Sequence, residues 1–442
     1  MNAYDFRLAA LSLRRSPGLS SLMVLAVALG IAVCTISFAV YHAVSTNPIP
    51  WKSDQLYAVT LDTWDPQRPD DEKHPENPPP QLTYRDAMTL VQSDVPLRSV
   101  MMFKSDRVID SGEQGHKAFH AILRVTTGDF FSMFDVPFEY GSGWDHDADA
   151  GAAPVVVLSH DSNEKTFGGV NSVGRTILVG GNEMRIVGVM KPWLPSPKFY
   201  DLNNDSFEEP EDAFVPLRYA IDHEFGSAGN TNCWKNEKIE SREDFLNSEC
   251  VWTQMWAELP THADRDRFQA YLDNYAREQK KLGRMERPLN NQLYNVAQWL
   301  DFNRVVQKDN RVLIGISMLF LAACLVNVVG LLLSKFLNGA PLTGLRRALG
   351  ASRRDIVRQH MAEVLLVCLG GGVLGVALAA IGLAGVRALY GPNIESIKRL
   401  TQMDATVVLA ALGLSIAAGI AAGLYPAWRI GRTSPAIYLK SQ

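Results

Sequence analysis

The sequence predicts a membrane α-helical protein with four transmembrane helices and a mixed α/β extracytoplasmic domain. Three observations carry this. Four runs contain no Asp, Glu, Lys or Arg: Ser16 to Trp51, Val312 to Ser334, Val364 to Val386 and Ala405 to Trp428. A long segment of opposite character, 46–311, separates the first two and holds 28 basic and 42 acidic residues. Residues 1–18, 335–361 and 428–442, the short segments that four spans place on one side, hold 12 basic and 2 acidic residues. Overall composition, 47% hydrophobic and 20% charged, hides this pattern, because the apolar residues are bunched.

Each run is long enough to cross a bilayer, which takes roughly 20 apolar residues in a helix that bonds its own backbone. The first is longer than the ~7–15 apolar residues of a cleaved signal peptide, and its exit, Tyr41-His42-Ala43-Val44, offers no small-x-small cleavage site. It is read as a retained helix. Basic short loops stay inside, whereas long domains cross largely regardless of charge. Arg7, Arg14 and Arg15, then Lys335 with Arg346, Arg347, Arg353, Arg354 and Arg358, then Arg429, Arg432 and Lys440 all fall on one side of four spans. The organisation that follows is a cytoplasmic amphipathic helix at 1–18, spans at 19–45, 311–336, 362–386 and 405–427, an outer domain at 46–310, a cytoplasmic loop at 337–361, a short outer loop at 387–404 and a cytoplasmic tail at 428–442. The first helix either lies on the inner leaflet or simply begins the first span.

In the outer domain, strands are expected at Tyr57 to Leu61, His120 to Val125, Pro154 to Leu158, Thr176 to Val179, Met184 to Val189 and Ala213 to Pro216. Helices are expected at Tyr84 to Gln92 and Asp264 to Leu282. Asp65 to Pro80 holds six prolines and is a loop. The region 191–300 reads as an inserted subdomain of undetermined fold.

Three apparent catalytic motifs fail on their context, and no catalytic set or metal site is assigned. Gly169 to Thr176 imitates a phosphate-binding loop, but Arg175 replaces its Lys and a strand follows where a helix is needed. Asp145, Asp147 and Asp149 have calcium-loop spacing, but Ala150 and Val156 stand where Gly and Glu are required. A solvated acidic turn or a looser cation site remains. His116 and His120 share a face of an extended segment but lack a third ligand.

Cys34, Cys324 and Cys368 fall within spans as small packing residues. Cys233 and Cys250 fall in the outer domain, where either a disulfide or two buried thiols fits. Gly371 and Gly375, and Gly419 and Gly423, have the spacing of close helix packing, although glycine is common in membrane helices. The inner loop is the most informative stretch. Pro341 suits a first helical turn, and Leu342, Leu345, Ala348 and Leu349 recur at helical spacing with Arg346 and Arg347 opposite. Gly350 is a natural stop, and Ser352 with Asp355 opens a second helix that runs into the third span. The apolar face of the short helix needs a cover, either lipid or a groove on a cytoplasmic partner.

Leu345-Arg346-Arg347-Ala348-Leu349-Gly350-Ala351-Ser352-Arg353-Arg354-Asp355-Ile356 resembles the signature of the MacB/FtsX-type (type VII) ABC transporter permeases. Leu13 to Gly18 is similar to that family's chain start, and Ala422 to Arg429 to its fourth-span ending. Gln81 to Asp86, Pro154 to Ser159 and Phe167 to Ile177 resemble its periplasmic core domain. The resemblance implies a bacterial inner-membrane permease without a fused ATPase domain, working as a homodimer or heterodimer. A separate cytoplasmic ABC ATPase would bind ATP and Mg, while this chain is not an enzyme and holds no cofactor. It implies ATPase coupling through Leu342, Gly344, Leu345, Arg346, Arg347, Ala348, Leu349, Gly350, Ala351 and Ser352, with motion passed to the outer domain by mechanotransmission. Many members carry Glu where Leu342 stands, which points to a specialised ATPase contact or a heterodimeric partner. Further expected partners are membrane lipid, a periplasmic adaptor and an outer-membrane channel, with no nucleic acid. The function implied is export or extraction of a substrate such as a peptide, antibiotic or lipoprotein. Alternatives are an FtsX-like complex regulating a periplasmic enzyme, and a membrane-anchored binding protein without an ATPase.

Overall fold

A computed structural model of the chain describes residues 3–112, 117–305, 308–390, 401 and 403–431. The chain divides into two units, Thr46–Val305 and the two flanking segments together.

The flanking segments form a helix bundle. Helix α1 (Ala3–Arg15) is followed at once by α2 (Pro17–Ser45), whose proline takes the first helical position, where no amide bond is lost. After the outer domain come α11 (Lys308–Asn338), α12 (Ala340–Ala348), α13 (Arg353–Tyr390) and α14 (Ala405–Gly431). Among the described residues, α2, α11, α13 and α14 are long and apolar enough to cross a membrane. Their apolar side chains also face outward: Leu319, Val326, Ile381 and Leu409 are each about 70% exposed, an arrangement that suits lipid and not water. Inward, Val27, Ile31, Val328, Leu332, Val364 and Val367 pack together.

Glycines set how closely these helices approach. A Cβ on Gly371 would lie 2.6 Å from Val27 Cγ1, and one on Gly375 would lie 2.8 Å from the Ala28 carbonyl oxygen, both on α2. On α14, Gly419 and Gly423 lie against Cys368 and Met361 of α13, a Cβ there falling 3.0 Å from each. Gly372 adds a contact of the same kind with Ser415.

The outer unit is built on one eleven-stranded sheet. In chain order its elements are β1 (Leu56–Thr60), β2 (Leu82–Thr83), α3 (Tyr84–Leu90), β3 (Arg98–Asp110), β4 (Phe119–Thr126), α4 (Asp129–Met133), β5 (Phe138–Gly141), α5 (His146–Ala150), β6 (Val155–Leu158), α6 (His160–Phe167), β7 (Thr176–Val179), β8 (Asn182–Met190), β9 (Ala213–Pro216), α7 (Leu217–Asp222), α8 (Arg242–Asn247), β10 (Val251–Glu258), α9 (His262–Lys281), β11 (Gln292–Asn295) and α10 (Val296–Phe302). The main strand order is β11-β1-β10-β3-β4-β9-β6-β8-β5. Most pairs are antiparallel, but β4–β9 and β6–β8 are parallel. Both faces are covered, so alternate residues enter two cores. Met101, Phe103, Met255 and Ala257 join one with Phe268 and Leu272 of α9. Val100, Met102 and Trp256 join the other with Phe130, Phe199 and Trp299.

This sheet corrects the expectation of an inserted subdomain at 191–300. Strand β10 comes from that region and lies between β1 and β3, paired antiparallel to both, so the region completes the sheet. Cys233 and Cys250 form a disulfide, and Cys250 directly precedes β10. The outer unit ends at Val305, short of the expected boundary at 310. Helix α13 begins at Arg353 under the Ser352 cap and runs without a break through the third apolar run, as the Ser352–Asp355 pattern implies.

Candidate functional site

The end of the bundle that carries the basic segments is built by two turns. Chain direction changes at Gly339, between α11 and α12, and again at Gly350 after α12. Gly350 has φ +104°, a backbone state that a side chain disfavours. Ser352 and Asp355 then cap α13 reciprocally: Ser352 N–H donates to Asp355 Oδ2 at 3.1 Å, and Asp355 N–H donates to Ser352 Oγ at 3.2 Å.

Helix α12 turns its small residues inward. Ala340 and Gly344 are buried, and Arg346 Nη1 donates to Gln359 Oε1 of α13 at 2.7 Å. Arg347 and Ala351 are half-buried, while Ala348, Gly350 and Ser352 are exposed. Leu342, Leu345 and Leu349 point out, at 50%, 49% and 80% exposure. Three leucines at i, i+3 and i+7 thus form an uncovered stripe, the pattern by which a helix enters an apolar groove.

Behind α12 is a polar cluster that sequence reasoning missed. Lys335, near the end of α11, pairs with Glu363 in α13, and Ser12 Oγ of α1 donates to Glu363 Oε1 at 3.1 Å. His360 lies against Phe336 with ring centroids 4.0 Å apart and planes tilted by 45°. Arg358 Nη2 donates to Asp5 Oδ2 at 2.9 Å and ties α1 to α13 a second time. A signal was present: Lys335 and Glu363 are the charges that bound two of the apolar runs, and charges at such positions seek partners. A cavity of about 510 Å³ opens here, lined by residues of α1, α2, α11, α12 and α13.

The motifs set aside in the outer unit have structural roles. Gly169 and Gly174 adopt φ +76° and +90° in the turn before β7. Asp145 caps α5 by accepting from Ala148 N–H. Asp149 is not a solvated acid: it turns inward and accepts from Trp144 Nε1–H at 2.7 Å and from Gly128 N–H at 2.5 Å. Burial lifts its carboxyl to about 6 although both hydrogen bonds favour the anion. His120 Nε2 lies 2.8 Å from Asp106 Oδ2, and His116 is outside the described residues. No cluster of three or more potential ligands suits a metal ion among the described residues.

Two buried ion networks pin this unit. Arg124, fully buried on β4, pairs with Asp201 and Glu211, and Tyr200 OH donates to Glu211 Oε2 at 2.8 Å. Burial opposes ionisation of Glu211, but Lys198 and Arg124 outweigh it and hold the carboxyl at about 2. Arg284 bridges Asp86 and Glu249, each at 2.8 Å. Both networks pair their charges within the unit.

Residues 20–275 match the MacB-like periplasmic core domain, and residues 314–435 match the FtsX-like permease C-terminal domain. The chain belongs to the MacB/FtsX permease family. Helix α12 and its exposed leucines lie inside the FtsX-like match. Among relatives, the macrolide export ATP-binding/permease protein MacB of Shewanella sp. (strain W3-18-1) is 23% identical over 334 residues, covering 73% of this chain and 43% of that protein. MacB of Azoarcus sp. (strain BH72) is 25% identical over 319 residues, covering 72% and 40%. The chain therefore spans less than half the length of these relatives. The crystal structure of the periplasmic region of MacB from Actinobacillus actinomycetemcomitans aligns with 59% of this chain and 96% of that one, at 13% identity and a TM-score of 0.36.

Proposed function

We propose that this chain is the permease subunit of an ATP-driven export or extraction complex, moved by a separate cytoplasmic ABC ATPase that binds ATP and Mg. The observation that carries this reading is the outward stripe of Leu342 and Leu345 on a short helix held between two spans, continued by Leu349 at its C-terminal cap. An apolar stripe flanked by arginines suits a groove on a water-soluble partner. Helix α11 joins α12 directly to the outer unit along the chain, and its 31 residues make a rod of about 46 Å. Such a rod transmits a displacement when the complex has two global states.

Both termini lie in the cytoplasm in this reading, which the clustered basic residues support. The Cys233–Cys250 disulfide supports an outer unit in an oxidising compartment. A second permease copy or paralogue completes the complex, and the outer unit meets the cargo or an adaptor. The relatives' role in macrolide export supports efflux over the regulation of a periplasmic enzyme. Co-purification tests the assignment: Leu345→Asp with Arg347→Glu abolishes capture of the ATPase while the chain remains in the membrane. Undiminished capture contradicts it.

A further inference from the structure

The cavity behind α12 has a lining of two kinds. Leu8, Leu11 and Leu19 give it an apolar wall, while Arg15 and Arg346 bring positive charge. Among the described residues Arg15 forms no ion pair, and Arg346 has only the neutral Gln359 amide as its side-chain partner. The one carboxylate in the lining, Glu363, is already engaged by Lys335 and Ser12. Two further groups in the lining are buried without a hydrogen-bond partner, Ser16 Oγ and His360 Nδ1. His360 is 9% exposed, and its Nδ1 has only a loose ion-pair contact with Glu363 Oε2, at 3.8 Å.

Buried polar atoms in native structures are normally satisfied, so the orphaned Ser16 Oγ and the loosely paired His360 Nδ1 in one cavity point to a group that reaches them. Net positive charge beside an apolar wall selects an anionic amphiphile. The location narrows the source. The cavity lies where α2 begins at Pro17 and α11 ends at Asn338, the level of lipid headgroups beside four spanning helices. Helix α1 has the make-up of an interfacial helix, with Leu11 half-exposed beside Arg14 and Arg15.

We infer that this cavity binds the headgroup of an anionic phospholipid from the adjacent leaflet. Arg15 and Arg346 engage the phosphate oxygens, for which the guanidinium fork is matched. Ser16 and His360 complete the polar contacts, and Leu8 and Leu11 cover the start of the acyl chains. Because Arg346 belongs to α12, the lipid becomes part of what holds that helix in place. This inference needs only the membrane-spanning bundle and stands independently of the ATPase assignment.

Native mass spectrometry on the full chain in mild detergent provides the test, with phosphatidylglycerol, phosphatidylcholine or inorganic phosphate added. Wild type retains phosphatidylglycerol about tenfold better than phosphatidylcholine, the difference made by roughly one charge-assisted contact. Arg15→Gln with Arg346→Gln removes that preference, whereas Arg15→Lys with Arg346→Lys keeps most of it at an unchanged melting temperature. Millimolar inorganic phosphate leaves the lipid bound. Equal retention of the two lipids, full retention by the Gln pair, or displacement by inorganic phosphate alone overturns the inference.

Discussion

Lys335 and Glu363 form an ion pair between α11 and α13, and the Glu363 side chain is 1% exposed. Removing one partner strands the other. Glu363→Leu is expected to cost about 3 kcal/mol, the scale of an uncompensated buried charge. Lys335→Met with Glu363→Leu should recover most of that loss. Thermal melts of the detergent-solubilised chain measure both, and a double variant no better than the single one would show that the pair is not the source of the loss.

The approach of α13 to α2 depends on Gly375, where a Cβ would lie 2.8 Å from a backbone carbonyl that has no rotamer to move to. Gly375→Leu is expected to destabilise the bundle by about 1–3 kcal/mol or more, as overpacking does. Gly370, with no atom within 4 Å of its Cβ position, is the matched control and should tolerate Ala with little change. The same melts separate the two.

Asp149 gives the outer unit a pH dependence of stated sign. Its folded pKa of about 6 is above the ordinary 3.8, so the folded state holds the proton more tightly. The stability this group contributes is complete below pH 4 and is lost as pH rises through 6. The unfolding midpoint should therefore fall between pH 4 and pH 7, and Asp149→Asn should flatten the slope. Glu211 acts in the opposite sense and in another window. Its contribution is complete above its ordinary 4.5 and is lost progressively as pH falls from there through about 2. An Asp149→Asn slope equal to the wild-type slope would remove Asp149 from the account.

The spans were legible because a bilayer demands runs of about 20 apolar residues, and the charges bounding them were equally plain. The strands at Thr176–Val179 and Ala213–Pro216 were read to the residue, being short β-branched or aromatic runs between turns. Strand β10 was not. Every residue from Val251 to Glu258 is buried, so its sequence shows no alternation, and it follows a stretch rich in Asn and acids. Strand β3 was hidden for a related reason, since Met101 and Met102 enter opposite cores and the charged end of the strand resembles a loop. At the candidate site, helical spacing revealed α12 and its leucines. The charges Lys335 and Glu363 stood out at the ends of apolar runs, but their pairing with each other and with Ser12 was not legible, because it joins three segments up to 351 positions apart.

The central claim is that α12 is the handle by which an ATPase moves this chain. Its most direct test is site-specific photocrosslinking in cells from Leu349, 80% exposed after α12, and from Leu389, 85% exposed at the far end of α13. A photoreactive residue at 349 should capture an ABC ATPase, in a yield that changes when ATP is trapped, and the same residue at 389 should capture none. Capture of an ATPase from neither position, while the permease and ATPase still co-purify, would contradict the claim.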